Sequence, residues 1–420
     1  GRNILSLMIS RVLTAVILFL IYTRLIQYLG PEVAGQYGLI AGYLTVFGFF
    51  VDLGMQQLVI KKVSEDRTRS GQFLRNYFGV QFFLGLGFML IMDAIVWLNH
   101  YPGLVQRALY LTSVSLLATS LTMPLMAIIN AYQRLSLIAK VNFTNSLING
   151  AMMALAVIFR RSLVFLALIP LIVAVFDIFL YGYLVDKNFT KFRISFDFKF
   201  WKQLLIWNTP FMLLTLFSIY NRIDTLILPH LRSFVENGYY TAVYKFWDTL
   251  AFVPAVVAAS LYPYFAESLA RGERQQAGEV LETYTRYMLA LGVPLSIGAF
   301  ALALPLTVSF FGPAFAPAAP ALWLLVAAVS VLFVYVPVNS IIISQKTKAA
   351  TIITGTTLAI NLICNFTFIP RYGFVAAAVI TLGSELIQLA GYTIVVKRRI
   401  VDFPYWRSFI KPIAAGAIMA

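Results

Sequence analysis

The chain has 420 residues, of which 60% are hydrophobic and 12% charged. A soluble domain averages about 25% charged residues, so a chain this apolar would aggregate in water and must have lipid as its solvent. A net charge of +15 could serve a nucleic-acid partner, but most basic residues sit in short clusters between apolar runs, the pattern of membrane orientation signals, which excludes nucleic acid.

A helix needs about 20 mostly apolar residues to cross the hydrocarbon layer. Twelve runs meet that length, at roughly 4–28, 33–60, 77–98, 108–131, 141–159, 162–185, 203–229, 238–266, 287–311, 315–343, 349–369 and 374–396. A thirteenth begins near Phe409. The first run is too long for the core of a signal peptide and lacks a small-residue cleavage site, so it reads as a retained span. A start at Gly1 without methionine, and an end inside the apolar stretch 412–420, read as trimmed termini.

Lysine and arginine set the orientation. With the N-terminus in the cytoplasm, 23 of the 32 fall on the cytoplasmic side, in clusters such as Lys61, Lys62, Arg67, Arg69 and Arg75. Five (Arg107, Arg160, Arg161, Arg232, Arg371) fall outside, and Arg11, Arg24, Arg222 and Lys245 lie within spans. The asymmetry predicts a multi-pass membrane protein with a cytoplasmic N-terminus.

The chain also repeats itself. Ile21-Tyr22-Thr23-Arg24 in span one is echoed by Ile219-Tyr220-Asn221-Arg222 in span seven, and Gly35-Gln36-Tyr37 by Gly238-Tyr239-Tyr240. Gln133-Arg134 after span four matches Gln345-Lys346 after span ten. Six spans separate the halves, so both run in the same direction, as two bundles related by a pseudo-two-fold axis along the membrane normal would. The expected fold is therefore all-α and polytopic: a six-helix bundle over 1–185, a cytoplasmic linker over 186–202, a second six-helix bundle over 203–396, and a cytoplasmic segment over 397–420 leading into a further helix. The linker alternates Lys, Arg and Phe, which suits either a segment lying on anionic headgroups or a solvated connector.

Three stretches carry a resemblance: Leu29-Gly30-Pro31-Glu32-Val33-Ala34-Gly35-Gln36-Tyr37; Val51-Asp52-Leu53-Gly54 followed by Lys61-Lys62-Val63-Ser64-Glu65; and Ile369-Pro370-Arg371-Tyr372-Gly373-Phe374 with Val375-Ala376-Ala377-Ala378. With the span count, they resemble the polysaccharide-biosynthesis flippases of the multidrug/oligosaccharidyl-lipid/polysaccharide exporter superfamily. The resemblance implies two six-helix bundles around a central cavity, alternating access, and an oligosaccharide carried on a polyprenyl pyrophosphate. Partners would be that cargo, membrane lipid and other membrane proteins of polysaccharide assembly.

Charges inside spans each cost about 2.5–3.5 kcal/mol at the bilayer centre, so they are usually turned inward and paired. A pyrophosphate headgroup needs cations in a wet cavity, and arginine's planar fork matches phosphate oxygens. Arg222, Lys245, Arg24 and Arg11 are the candidates, although Arg24 could snorkel to outer headgroups. Arg11, thirteen residues before Arg24, points elsewhere on an unkinked helix. Asp224 and Asp248 are candidate partners for the cations, and the four together could equally be an ion-pair cluster that lets two helices insert. Asp52, before Gly54, reads as a cap or an inner gate. Asp93, Asp177 and Glu385 are candidates for proton or sodium coupling or for structural pairing. Asn142, Asn145 and Asn149 on span five, and Asn361 and Asn365 on span eleven, could bind sugar hydroxyls or join helices. Prolines within seven sites (124, 170, 210, 254, 294, 305, 337) suit bent helices.

No catalytic residue, metal site or cofactor is expected: one cysteine, Cys364, and two distant histidines, His100 and His230, cannot build one. Three other classes remain open. A major-facilitator transporter would carry a glycine-bounded loop that Asp66-Arg67-Thr68-Arg69-Ser70-Gly71 matches only in part. A glycan polymerase or ligase would carry a large outside loop, and the longest here, around His100 to Arg107, is short. A multidrug exporter of the same superfamily would show acids dominating its cavity, where this chain has four cations in spans.

Overall fold

The computed structural model describes residues 2–191, 197–217, 222–344 and 348–401. The start of a thirteenth span near Phe409, Tyr220 and Asn221 of the repeat, and Arg193 and Lys346 of the basic clusters lie outside the described residues, as do the side chains of residues 2–14, Arg11 among them.

Thirteen α-helices follow one another, and no strand occurs among the described residues. They are α1 (Arg2–Asp52), α2 (Met55–Glu65), α3 (Ser70–Leu98), α4 (Gly103–Ala131), α5 (Leu135–Ile158), α6 (Leu163–Asn188), α7 (Phe198–Phe217), α8 (Asp224–Leu231), α9 (Phe234–Leu250), α10 (Phe252–Ala270), α11 (Arg274–Phe311), α12 (Ala319–Ser344) and α13 (Ala349–Arg399). Nine stretches among the described residues are long and apolar enough to cross a membrane. This is a multi-pass helical membrane protein.

Two of the helices are bent back by a glycine. Gly30 in α1 (φ 69°, ψ 170°) and Gly373 in α13 (φ 64°, ψ −149°) leave the helical region for backbone angles that a side chain disfavours. Each follows or precedes a proline, Pro31 or Pro370, within three residues. The breaks fall between the expected spans one and two and the expected spans eleven and twelve.

Other expected boundaries move. The span expected over 33–60 ends at Asp52; Leu53 (φ 46°) and Gly54 (φ 76°) turn the chain into a separate α2. The span expected over 203–229 is interrupted as well: α7 is described to Phe217, residues 218–221 lie outside the described residues, residues 222 and 223 form a turn, and α8 starts at Asp224. The span expected from 287 begins at Arg274, because its charged first turns are held by pairs one turn apart, Glu282 with Arg286 (3.0 Å) and Gln275 with Glu279 (3.1 Å).

The chain divides into two compact units, Gly1–Tyr28 with Gln36–Leu226, and Leu29–Gly35 with Ile227–Ala420. In the first, α4 is the most enclosed span and packs on α3 and α6. One face of α2 (Met55, Leu58, Val59, Val63) is buried with Phe73, Leu74 and Tyr77 of α3, Ile128 of α4, Tyr181 of α6, and Phe200 and Leu204 of α7. The end of the expected linker thus opens α7 and enters a core. Asp197 starts it, its Oδ1 accepting from the N–H groups of Lys199 and Phe200, both at 3.1 Å. Trp201 donates its indole N–H to Asn76 (3.1 Å), and Asn208 donates to the carbonyl of Leu53 at the α1–α2 turn (2.8 Å). Asp66 caps the loop after α2, accepting from the Thr68 hydroxyl (2.6 Å) and N–H (3.0 Å). Those Thr68 bonds hold its carboxyl below the usual range.

In the second unit α12 is the most enclosed span, set between α11 and α13 and against α10. Phe265, Leu281, Tyr335, Val338, Ile341, Ile342, Tyr392 and Val396 form its core.

The segment Leu29–Gly35 belongs to the second unit through a backbone-to-backbone crossing. A Cβ added at Gly35 would overlap the carbonyl of Phe234, and one added at Gly238 would overlap the carbonyl of Pro31. Asn237, fully buried, donates to the Gly35 carbonyl at 2.7 Å. The two glycines that echo each other in sequence therefore meet.

Candidate functional site

Four cations and six acids were expected within spans, and the structure distributes them unevenly. Arg24 lies in the first unit, exposed on α1 beside the buried Tyr22, Thr23, Leu25 and Ile26. Its guanidinium donates to Gln27 Oε1 at 3.0 Å. Arg222 is not in mid-helix: it sits, half-buried, on the turn that opens α8, where its carbonyl accepts from Thr225 Oγ1 (2.7 Å) and N–H (3.3 Å). Asp224 begins α8, is 3% exposed, and accepts from the Thr225 N–H at 2.8 Å. A carboxylate at a helix start also meets the positive end of the helix dipole. The turn seats against α1, since Thr225 Oγ1 fills the space where a Cβ on Gly42 would stand. Neither Arg222 nor Asp224 is free.

Lys245 and Asp248 belong to the second unit, three residues apart on α9, Lys245 half-buried and Asp248 exposed, and both are engaged. The structure thus keeps Arg222 with Asp224 in one unit and Lys245 with Asp248 in the other.

The remaining acids are tied to their neighbours. Asp52 closes α1 and its Oδ1 accepts from the Gln56 N–H (3.3 Å), so it caps the turn into α2. Asp93 on α3 lies against Ser113 of α4. Asp177 on α6 receives both of its contacts from Asn145 Nδ2 of α5, at 3.0 and 2.9 Å. Glu385 is fully buried in the second half of α13. Beside it in sequence, Ser384 accepts from Asn361 Nδ2 (2.9 Å), and Asn361 in turn accepts from Asn365 (2.8 Å). Asn145 thus ties α5 to α6 and Asn361 ties the two halves of α13, while Asn365 bonds within its own helix; unpaired amides would be costly in hydrocarbon.

The halves of α13 also enclose a groove of about 470 Å³ lined by Ile360, Phe368, Val379 and Ile387 with Asn361 and Ser384. Among the described residues no cation lines it.

Sequence reading missed a clip at one end of the second unit. Arg232 donates to Glu236 (2.8 Å) and to the Pro370 carbonyl (3.2 Å), while the other Glu236 oxygen accepts from the Phe374 N–H (3.0 Å) and fills the space that a side chain on Gly373 would take. Ser233-Phe234-Val235-Glu236 is the signature that could have revealed it: a serine capping a helix with an acid three residues on. Ser233 Oγ does accept from the Glu236 N–H (3.2 Å), but the carboxylate is spent on Arg232 and the α13 bend.

Among the described residues no group of three or more His, Cys, Asp or Glu is placed to hold a metal. Among the described residues the chain is all-helical and multi-pass, with cations and acids on or beside its spanning helices. The sequence profile of the polysaccharide biosynthesis protein family matches residues 1–269, and the chain belongs to that family. No curated protein matches it.

Solved structures agree on the fold. The chain is similar to the lipid II flippase MurJ in its inward closed conformation, with a TM-score of 0.78 at 16% identity over 99% of this chain and 91% of that one. It is also similar to an inward-facing multidrug resistance MATE family transporter of the MOP superfamily (0.63, 13%, 97% and 96%). The MATE transporter VcmN of Vibrio cholerae in its bent form follows (0.55, 15%, 98% and 99%). The fold is MurJ- and MATE-like.

Proposed function

We propose that this protein flips a polyprenyl-pyrophosphate-linked oligosaccharide from the cytoplasmic to the outer leaflet of a bacterial plasma membrane, by alternating access, for cell-surface polysaccharide export. The observation that carries this reading is the set of basic groups within apolar segments, Arg24 on α1, Arg222 on the turn before α8 and Lys245 on α9, in a chain of the polysaccharide biosynthesis family. An exporter of organic cations gains nothing from cations in its path; an anionic headgroup requires them. The likeness to a structure described as a lipid II flippase, higher than those to the multidrug transporters, supports the same class of cargo. Twelve spans in two parallel halves, with the N-terminus in the cytoplasm, belong to this proposal and rest on the lysine and arginine asymmetry and on the breaks at Gly30 and Gly373.

The direct test uses the purified chain in liposomes carrying a fluorescent polyprenyl-pyrophosphate oligosaccharide. Protein-dependent loss of label protection from an external quencher or hydrolase is expected. Extrusion of organic cations with no movement of the lipid would replace the proposal by a multidrug exporter. Topology is checked separately. Single cysteines at Asn188 and Ser233 are expected to label from opposite faces of intact cells, and labelling of both from one face would remove the span count.

A further inference from the structure

The bend at Gly373 brings the two ends of α13 to the same end of the second unit, beside the start of α11. There two adjoining clefts open, of about 310 and 370 Å³, which share Arg398 and Arg399. The first is completed by Lys348, Ile352, Ile353, Ile394 and Val395; the second by Arg274, Gln275 and Lys397 with Ile400 and Val401. Among the described residues no carboxylate lines either cleft. Glu279, one turn along α11, is engaged with Gln275.

We infer that these clefts bind the phosphodiester headgroup of an anionic glycerophospholipid, with an acyl chain entering the first cleft. Three features point to this ligand. The cations stand at the helix ends, and the aliphatic residues follow one turn inward: Ile352 and Ile353 after Lys348, Ile394 and Val395 before Arg398 and Arg399. That order reproduces the step from headgroup to hydrocarbon, and basic pockets between helix ends at this depth are where anionic headgroups bind. Ile352 and Ile394 are 66% and 51% exposed, so the slot is open to the bilayer.

The second feature is the position of the charges along the helix dipoles. Lys397, Arg398 and Arg399 close α13, where the negative end of the dipole favours cations. Lys348 caps the beginning of α13 and Arg274 begins α11, where the dipole opposes cations and favours an anion. The dipoles account for the first three charges, and Glu273 stands beside Arg274 at the start of α11; Lys348, at the start of α13 with no acid in that helix's first turn, is left to be offset by something negative. Third, none of the five is in an ion pair among the described residues, and all five are exposed.

Native mass spectrometry of the full-length purified chain tests this, with phosphatidylglycerol, phosphatidylcholine and inorganic phosphate as probes. The wild type is expected to retain phosphatidylglycerol over phosphatidylcholine. A basic group near the membrane surface contributes about fivefold to anionic-lipid affinity, so Lys348→Gln, Arg398→Gln, Arg399→Gln together should weaken phosphatidylglycerol roughly a hundredfold and leave phosphatidylcholine unchanged. Arg398→Lys, Arg399→Lys keeps the charge and should retain most of the affinity, which separates loss of charge from misfolding. The inference is overturned by a wild type without headgroup preference, or by a triple variant that binds phosphatidylglycerol as the wild type does. It is equally overturned if inorganic phosphate displaces the lipid at equal concentration, which would make the clefts a site for soluble anions.

Discussion

Arg222→Ala is expected to abolish glycan export while the protein still inserts and accumulates in the membrane. If Arg222 grips the pyrophosphate, its loss removes a charge-assisted contact of about 1.5–3 kcal/mol, a ten- to over a hundredfold weakening. Arg222→Lys should fail as well, because a point charge cannot reproduce the two-pronged contact with phosphate. The structure sharpens the control. Asp224 is buried at the start of α8 and accepts from the Thr225 N–H, so Asp224→Ala should lower the amount of folded protein whatever Arg222 does. Arg222 is half-buried on the turn before it, and its carbonyl, not its side chain, receives Thr225. Export in a complementation strain, set against protein level, separates the roles. Loss of protein in the Arg222→Ala and Lys245→Ala variants alike would make the cations structural. Full export by a well-expressed double variant would end their assignment to the headgroup.

The second large effect is expected from one methyl group. Gly238→Ala places a Cβ on the Pro31 carbonyl, and Gly35→Ala places one on the Phe234 carbonyl. Overpacking in a core typically costs about 1–3 kcal/mol where side chains can shift aside. Here the opposing atoms are backbone, so each substitution should reach about 3 kcal/mol or force the helices apart, and the Asn237 bond to Gly35 would go with them. Because both glycines serve one crossing, the double variant should cost little more than the worse single one. Thermal unfolding of the purified protein is the measurement. Wild-type midpoints for both single variants would mean that the helices do not cross at these residues.

Much of the fold was legible because the hydrophobic requirement of a bilayer writes itself into the sequence as long apolar runs. The breaks at Gly30 and Gly373 fall where the apolar runs were separated, each glycine within three residues of a proline. What could not be read depended on atoms far away in sequence. The turn at Arg222 and Ile223 falls between the apolar residues of α7 and the apolar run Leu226-Ile227-Leu228 of α8, so hydropathy gave no reason to interrupt the helix there. The anchoring of α7 by Asn208 on Leu53 spans 155 residues, and that of Trp201 on Asn76 spans 125. The echo of Gly35 in Gly238 was visible as a repeat, but a repeat says nothing about whether its copies touch. Among the charges, residue type identified the candidates, while their neighbours (Asn145 for Asp177, Gln27 for Arg24) are set by packing.

The crossing of Gly35 and Gly238 also fixes a timetable. The acceptor carbonyl of Gly35 and the Asn237 amide that seeks it are 202 residues apart. At a synthesis rate of about 5–20 residues per second, Gly35 leaves the ribosome some 10–40 s before its partner exists. The Leu29–Gly35 segment, made almost first, cannot take its place in the second unit until α9 emerges. A chain released or cleaved before Asn237 would leave that segment waiting, with the narrow glycine face of α1 open to whichever helix arrives next.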